Sequence, residues 1–252
     1  MAVPYLVAHR GCMAYYPENT LVSLEAAIQG GAEYIEFDLQ CSADGELILM
    51  HDTNLLRTCG VDNNVFEMSF DELKNIRAHE PDRFSLAFFK QHIPHINDVI
   101  KLLKKYPHVT AFVEIKEESL DHFGIENIVP RLLQDLEVVF SQCIIISFNY
   151  DVLSYVQRYS HYKTAWVLTK YDQASYQKSR ILNPHMLIVN HKKLPAEKTP
   201  WEGDWQWMLY EVNDPYEAIE YASYGVEYIE TSDICHMLQH PLFAMSVDES
   251  QL

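Results

Sequence analysis

No apolar run in the sequence approaches the ~20 residues needed to span a bilayer. The opening stretch, MAVPYLVAHRG, lacks a basic region and a long apolar core, so it does not read as a secretory signal. No CxxC pair occurs, and the cysteines are odd in number: Cys12, Cys41, Cys59, Cys143 and Cys235. That fits free or buried thiols in a reducing compartment better than a disulfide framework, and the expected location is cytoplasmic. Glycine is scarce at 8 residues, and no Pro/Ser/Gly-rich linker or low-complexity tract divides the chain. Basic residues are few: 19 Lys+Arg against 36 Asp+Glu leave a formal net charge of −17. Such a field repels nucleic acid and anionic membrane surfaces, so an anionic substrate needs cations arranged locally.

What is present is an alternation. Eight short apolar runs are YLVAHRG (5–11), EYIEFDL (33–39), TAFVEIK (110–116), CIIISFN (143–149), KTAWVLT (163–169), HMLIVNH (185–191), WMLYEVN (207–213) and VEYIETS (226–232). Helix-periodic segments fill most intervals, with Thr20, Asn97 and Asp214-Pro215 as expected N-terminal caps. Alternating strand and helix implies a parallel sheet, and eight units imply an α/β fold of the (β/α)8 TIM-barrel type. A chain of 252 residues fits such a barrel as a single domain over 1–252.

Two places break the rhythm. Six residues separate EFDL from ELILMHD, too few for a parallel crossover, so the second strand is expected to turn back as an antiparallel β-hairpin. Residues from about 53 to 93 carry no strong strand and read as a small insertion, with a capping box at SFDEL.

In such a barrel, active-site groups sit at the C-terminal ends of the strands. Glu36 and Asp38 share one face of a strand, as do Glu114 and Lys116. If the hairpin turns near Asp44-Gly45, paired residue numbers sum to about 89, which brings His51 to the rim of Glu36 and Asp38. Lengthening that turn by one residue is then expected to flip His51 to the other face. Three carboxylates and an imidazole converging call for a cation, and oxygen donors suit Mg2+, Ca2+ or Mn2+.

In order along the chain stand HRG (9–11), PENT (17–20), EFD (36–38), DG, HD (51–52), LLRTCG, IPHI (93–96), EIK (114–116), SFN (147–149) and GVEYIETSD. This set resembles the glycerophosphodiester phosphodiesterase family over nearly the whole chain. The resemblance implies His9 and His51 as a general acid/base pair. It implies Glu36, Asp38 and Glu114 as ligands of one divalent metal ion, and Arg10 and Lys116 as phosphate contacts. Glu18 is a candidate for the metal or its surroundings, and Asp52 for orienting His51. The implied reaction converts a glycerophosphodiester to glycerol 3-phosphate and an alcohol, within lipid and glycerol metabolism. The implied partner is a small-molecule substrate, with no nucleic acid and no transmembrane segment. Two alternatives are a lysophospholipase D or phospholipase-type activity on the same site, and a non-catalytic binding domain. The sequence departs from the family pattern at Tyr210, Glu211, Tyr228 and Ser232, positions expected to face the alcohol or glycerol part.

Overall fold

Strands that are apolar on both faces must be covered on both, and the chain solves this by closing its sheet into a ring. The computed structural model describes residues 2–195 and 199–244. Its strands are β1 (Tyr5–Ala8), β2 (Tyr34–Cys41), β3 (Leu47–Leu49), β4 (Thr110–Ile115), β5 (Cys143–Ser147), β6 (Lys163–Leu168), β7 (Met186–Asn190), β8 (Gln206–Tyr210) and β9 (Tyr228–Thr231). All except β3 run parallel, and β1 pairs with both β2 and β9, which closes an eight-stranded barrel. The eight parallel strands fall on the eight apolar runs of the sequence.

Side chains alternate between two cores. Val7, Phe112, Ile144, Ile146, Ala165, Val167, Met186, Ile188 and Met208 fill the barrel. The intervening residues, such as Ile35, Phe37, Leu39, Val113 and Ile145, pack outward under the helices. Helix Ile96–Lys105 presents Val99, Ile100 and Leu103 to that layer, and Leu103→Ala would cost roughly 2–5 kcal/mol. Its N-cap is His95 rather than the expected Asn97, because the ring Nδ1 of His95 accepts from the Asn97 amide at 3.1 Å. Thr20 and Asp214 cap their helices as expected.

Tyr5, Tyr34 and Tyr228 plug the N-terminal end, with ring centroids 5.2–5.3 Å apart. Tyr228 therefore sits at the barrel floor, not near the substrate, and this corrects one expectation. Ser232, just past the C-terminal end of the ninth strand, hydrogen-bonds Asn213 through its hydroxyl at 3.0 Å.

β3 folds back antiparallel on β2, with Leu39 opposite Leu49 and Cys41 opposite Leu47. Gly45, at φ 77°, completes the turn by donating to the Ser42 carbonyl. After β3 come short helical segments at Leu56–Cys59, Val65–Glu67, Phe70–Leu73 and Pro81–Phe84. They cover a small core of their own, built on Ile48, Leu55, Val65, Leu73 and Ile93. The Ser69/Glu72 capping box is present.

The cysteine expectation is corrected for one pair. Cys12 and Cys235 are disulfide-bonded, their Cα atoms 6.5 Å apart, while Cys41, Cys59 and Cys143 are buried free thiols. The pair lies 223 residues apart, and only the closure of β1 against β9 makes them neighbours. Among the described residues no helix is long and apolar enough to cross a membrane.

Candidate active site

The C-terminal ends of the strands form one mouth around a cavity of about 200 Å³. A larger groove of about 740 Å³ lies on the outer helices near Pro130 and Tyr159, away from the converging charges. β2 supplies Glu36 and Asp38 from its inward face, each 1% exposed. Its neighbour β4 sets Glu114 beside Asp38 in register. Carboxylate oxygens of Glu36, Asp38 and Glu114 lie within 4.8 Å of one another, a grouping that could hold a metal ion. Glu36 Oε1 is buried with no hydrogen-bond partner, so the acidic pocket leaves one oxygen unsatisfied.

The loop after β1 carries His9 and Arg10. Arg10 adopts φ 51° and Gly11 φ 84°, which turns the Arg10 amide onto Glu36 Oε2 at 3.0 Å. A Cβ on Gly11 would meet Ser23 at 2.5 Å, so only glycine fits there. The Arg10 guanidinium lies 2.9 Å from both Asp38 and Glu18. Asn19 fixes Asp38 from the other side: its Nδ2 donates to Asp38 Oδ2 at 2.8 Å, and its Oδ1 accepts from the Asp38 amide at 3.0 Å. Lys116 Nζ lies 2.9 Å from Glu114 and 3.5 Å from Asp38.

His51 reaches the mouth by a route that differs from the expected one. Pairing across the hairpin is one residue tighter, with Asp38 accepting from the Met50 amide at 3.1 Å. β3 ends at Leu49, so strand parity does not set the direction of His51. Instead Gln40 Nε2 donates to the His51 carbonyl at 3.0 Å, and Asp52 holds the ring Nδ1 at 2.6 Å. Arg57 then links Asp52 (2.7 Å) to Glu18 through two further bonds of 2.7 and 2.8 Å. Glu18 therefore anchors Arg10 and Arg57 and stands outside both carboxylate groupings.

Burial and charge act together on titration. Burial drives the Glu36 carboxyl well above its usual value, with Asp38, Glu230 and Glu114 adding to the rise. Glu114 is pushed up to about 7 by burial and by Asp38. Burial also pushes Asp38 up, but Arg10 and Lys116 outweigh it and hold it below the ordinary carboxylate range. Burial lowers His9 to about 3, Arg10 contributing, so its imidazole is neutral at physiological pH.

The structure thus brings together His9, His51, Glu36, Asp38, Glu114, Arg10 and Lys116, with Glu18 and Asp52 behind them. Sequence reasoning left Asn19 and Arg57 without a role, although both lie inside the quoted PENT and LLRTCG stretches. It also left Glu230 unassigned. Glu230 is 5% exposed, faces inward from β9 and is pushed up to about 8 by burial and Glu114. Period two along β9 was the signal available for it. Trp201, Trp205 and Trp207 do not line the cavity; Trp205 and Trp207 belong to the outer core.

A parallel eight-stranded barrel with carboxylates, cations and imidazoles at its C-terminal mouth is the architecture of a barrel enzyme. Residues 9–234 match the glycerophosphoryl diester phosphodiesterase family. The chain belongs to that family and is an enzyme of its class. It is 30% identical over 154 residues to a glycerophosphodiester phosphodiesterase of Caldanaerobacter subterraneus subsp. tengcongensis (61% of each chain). It is 29% identical over 153 residues to one of Bacillus altitudinis (59% of this chain, 60% of the relative). These matches span about three fifths of the two relatives' length. Among solved structures, it shares its fold with an Oleispira antarctica phosphodiesterase in complex with sn-glycerol-3-phosphate, at TM-score 0.81 and 22% identity over 93% of this chain and 95% of that one.

Proposed function

We propose that the chain hydrolyses a glycerophosphodiester to glycerol 3-phosphate and an alcohol, with a divalent cation and a histidine pair. The observation that carries this reading is the convergence of Glu36, Asp38 and Glu114 at the mouth that His9 and His51 also line. Glu36, Asp38 and Glu114 fit an oxygen-ligated ion such as Mg2+, Ca2+ or Mn2+, and the partnerless Glu36 Oε1 supports such an occupant. When bound, that ion would supply positive charge against the phosphate oxygens. Arg10 and Lys116 line the same cavity and would orient the phosphate. His9 lines the cavity beside Glu36 and would take the proton from the attacking hydroxyl. His51 has Nδ1 engaged by Asp52, which leaves Nε2 to exchange a proton with the departing alkoxide. The whole chain forms the catalytic domain, with the segment near 53–93 as an insertion.

The experiment incubates purified protein with several glycerophosphodiesters under Mg2+, Ca2+ or Mn2+, with and without chelator, and measures glycerol 3-phosphate. Product that disappears with chelator is expected. Absence of product with every head group and metal would overturn the reading, and turnover indifferent to chelator would remove the metal from it. His9→Ala and His51→Ala should each lower kcat by ~10²-fold or more, and Glu36→Gln should abolish divalent-ion binding in calorimetry.

A further inference from the structure

An apolar surface lies beside the mouth, and the phosphodiesterase reading does not use it. We propose that the turn over residues 85–89, together with the loop after β1, docks the protein on the surface of a zwitterionic phospholipid bilayer. This goes beyond the proposed hydrolysis and does not depend on it.

Three observations carry it. The first is the patch itself. Leu86 is 70% exposed, Tyr15 54% and Phe89 48%. Contacts beneath them join the three into one surface. Arg83 donates to the Met13 and Ala14 carbonyls at 2.6 and 3.2 Å, which lays the insertion on the loop after β1. Tyr16 meets Phe88 with ring centroids 5.4 Å apart, and Phe88 meets Phe84 at 5.1 Å. These three rings are half-buried and floor the patch. Contiguous apolar surface, unlike single exposed residues, marks an interaction site. The loop beneath it also carries His9 and Arg10, which line the cavity, so the patch borders the mouth.

The second is the backbone. Ser85 ends the short helix Pro81–Phe84 at φ 51°, a conformation that residues with a Cβ rarely adopt. The residue it delivers, Leu86, gains no burial in return. Past Ser85 the chain pairs its own amides: those of Ala87, Phe89 and Gln91 donate to the carbonyls of Phe84, Leu86 and Phe88 at 3.0, 3.2 and 2.8 Å. A turn with its amides paired internally can enter a headgroup layer without leaving them bare.

The third is charge. Acidic residues number 36 in 252, yet none occurs from Arg83 to Asn97 or from Gly11 to Pro17. Arg83 and Lys90 flank the apolar turn, and the Arg77 guanidinium sits 5.8 Å from the Phe89 ring centroid. Aromatic and aliphatic residues set between cations are the composition that settles at a bilayer interface. The nearest buried carboxylate, Glu80, is paired with Arg83 at 2.6 Å. Charge also selects the occupant. A second copy of this chain would bring a second net charge of −17, and an anionic membrane would repel the first. Zwitterionic headgroups carry no net charge and accept the apolar turn without that repulsion.

The test mixes purified protein with sucrose-loaded phosphatidylcholine vesicles and measures the bound fraction by sedimentation, with no turnover involved. Wild type is expected to sediment with the vesicles. Leu86→Ser and Phe89→Ser should each lower the partition coefficient by roughly tenfold, the scale for returning a large apolar side chain to water. Their melting temperatures should match wild type, since both side chains are exposed. Leu86→Trp should bind at least as tightly as wild type, and brominated phosphatidylcholine should quench its added fluorescence. Ile181→Ser, on the helix Gln173–Leu182 and 77% exposed, is the control and should change nothing. Wild type that stays in solution at millimolar lipid overturns the proposal. So does binding that survives Leu86→Ser and Phe89→Ser, or that Ile181→Ser lowers as much. A wild-type dimer that Leu86→Ser dissociates would put a second copy on the patch and overturn it too. Failure to hydrolyse any glycerophosphodiester would instead defeat the phosphodiesterase reading, and the vesicle result would still decide the docking.

Discussion

Arg57 is the test of how the mouth is held together. It touches neither His9 nor the Glu36/Asp38/Glu114 grouping, yet it donates three short bonds to Asp52 and Glu18. Replacing it with Met keeps the length of the side chain and removes the charge. Breaking a buried ion pair from one side costs about 3–5 kcal/mol, because a buried charge is left alone. Two facts reduce that figure here. The Glu18 carboxylate, 3% exposed, keeps Arg10 at 2.9 Å. The Arg57 side chain is 46% exposed, so water replaces part of what is lost. We expect about 2 kcal/mol, equivalent to a fall in Tm of roughly 4–8 °C for a domain of this size. Burial raises the Glu18 carboxyl, but Arg57 and Arg10 outweigh it and set it below its ordinary value of 4.5. Its contribution is therefore present above pH 4.5 and lost as pH falls through the lower folded value. The gap between wild type and Arg57→Met should be widest near neutrality and close in acid. Activity should also fall, by roughly 10- to 100-fold, because Asp52 loses its anchor and His51 its fixed direction. Calorimetric melts across pH, with steady-state kinetics, measure both. Equal melting temperatures at pH 7 together with an unchanged kcat would refute the reasoning.

Gly11→Ala should destabilise by a few kcal/mol and lower activity more than stability, since φ 84° and the 2.5 Å approach to Ser23 both resist a Cβ and the loop carries His9 and Arg10. Melting curves and kinetics on the folded fraction separate the two effects; a variant as stable and active as wild type would show that the loop tolerates the side chain. The Cys12–Cys235 bond closes a loop of 223 residues, for which the chain-entropy account gives up to roughly 5 kcal/mol. Cys235→Ser should accordingly melt well below the oxidised wild type, and peptide mapping without reductant should recover the Cys12–Cys235 crosslink; recovery of free thiols at both positions would count against the pairing.

The fold was legible because its signal is local and repeated. Each strand announces itself by an apolar run, and each crossover by helical spacing. The short interval after EFDL excluded a crossover by length alone, which located β3. Most of the mouth was legible for the same reason, since Glu36, Asp38, Glu114 and Lys116 inherit their direction from strands. What escaped depends on closure or on irregular chain. Cys12 meets Cys235 only when β1 pairs with β9. Tyr228 looked like a rim residue by its place in a motif, yet its register beside Tyr5 puts it at the floor. His51 sits past the end of β3, where parity no longer applies, and its direction comes from Gln40 and Asp52 instead. Asn97 looked like a cap, but the ring of His95, one residue before the helix, took that position.

The division between legible and hidden parts also separates two mechanical units in the mouth. Glu36, Asp38, Glu114, Lys116 and His9 belong to the barrel, whose strands fix their spacing through backbone bonds. His51 and Asp52 begin the insertion, which has its own small core and meets the barrel through both backbone and side-chain bonds. Besides the Met50 amide on the Asp38 carbonyl and the Glu80 carboxylate on the Glu18 amide, two side-chain ties join the units near His51. One runs from Gln40 to the His51 carbonyl, and the other from Asp52 through Arg57 and Glu18 to Arg10 and Asp38. The second ends on the carboxylate that Asn19 clamps, so it runs unbroken from Asp52 to Asp38. The two histidines are thus linked by a chain of charged bonds, each 2.6–2.9 Å long, as well as by the backbone. On the proposed reading the insertion is part of the catalytic apparatus, and a variant that loosens it is expected to change both stability and the rate of proton transfer.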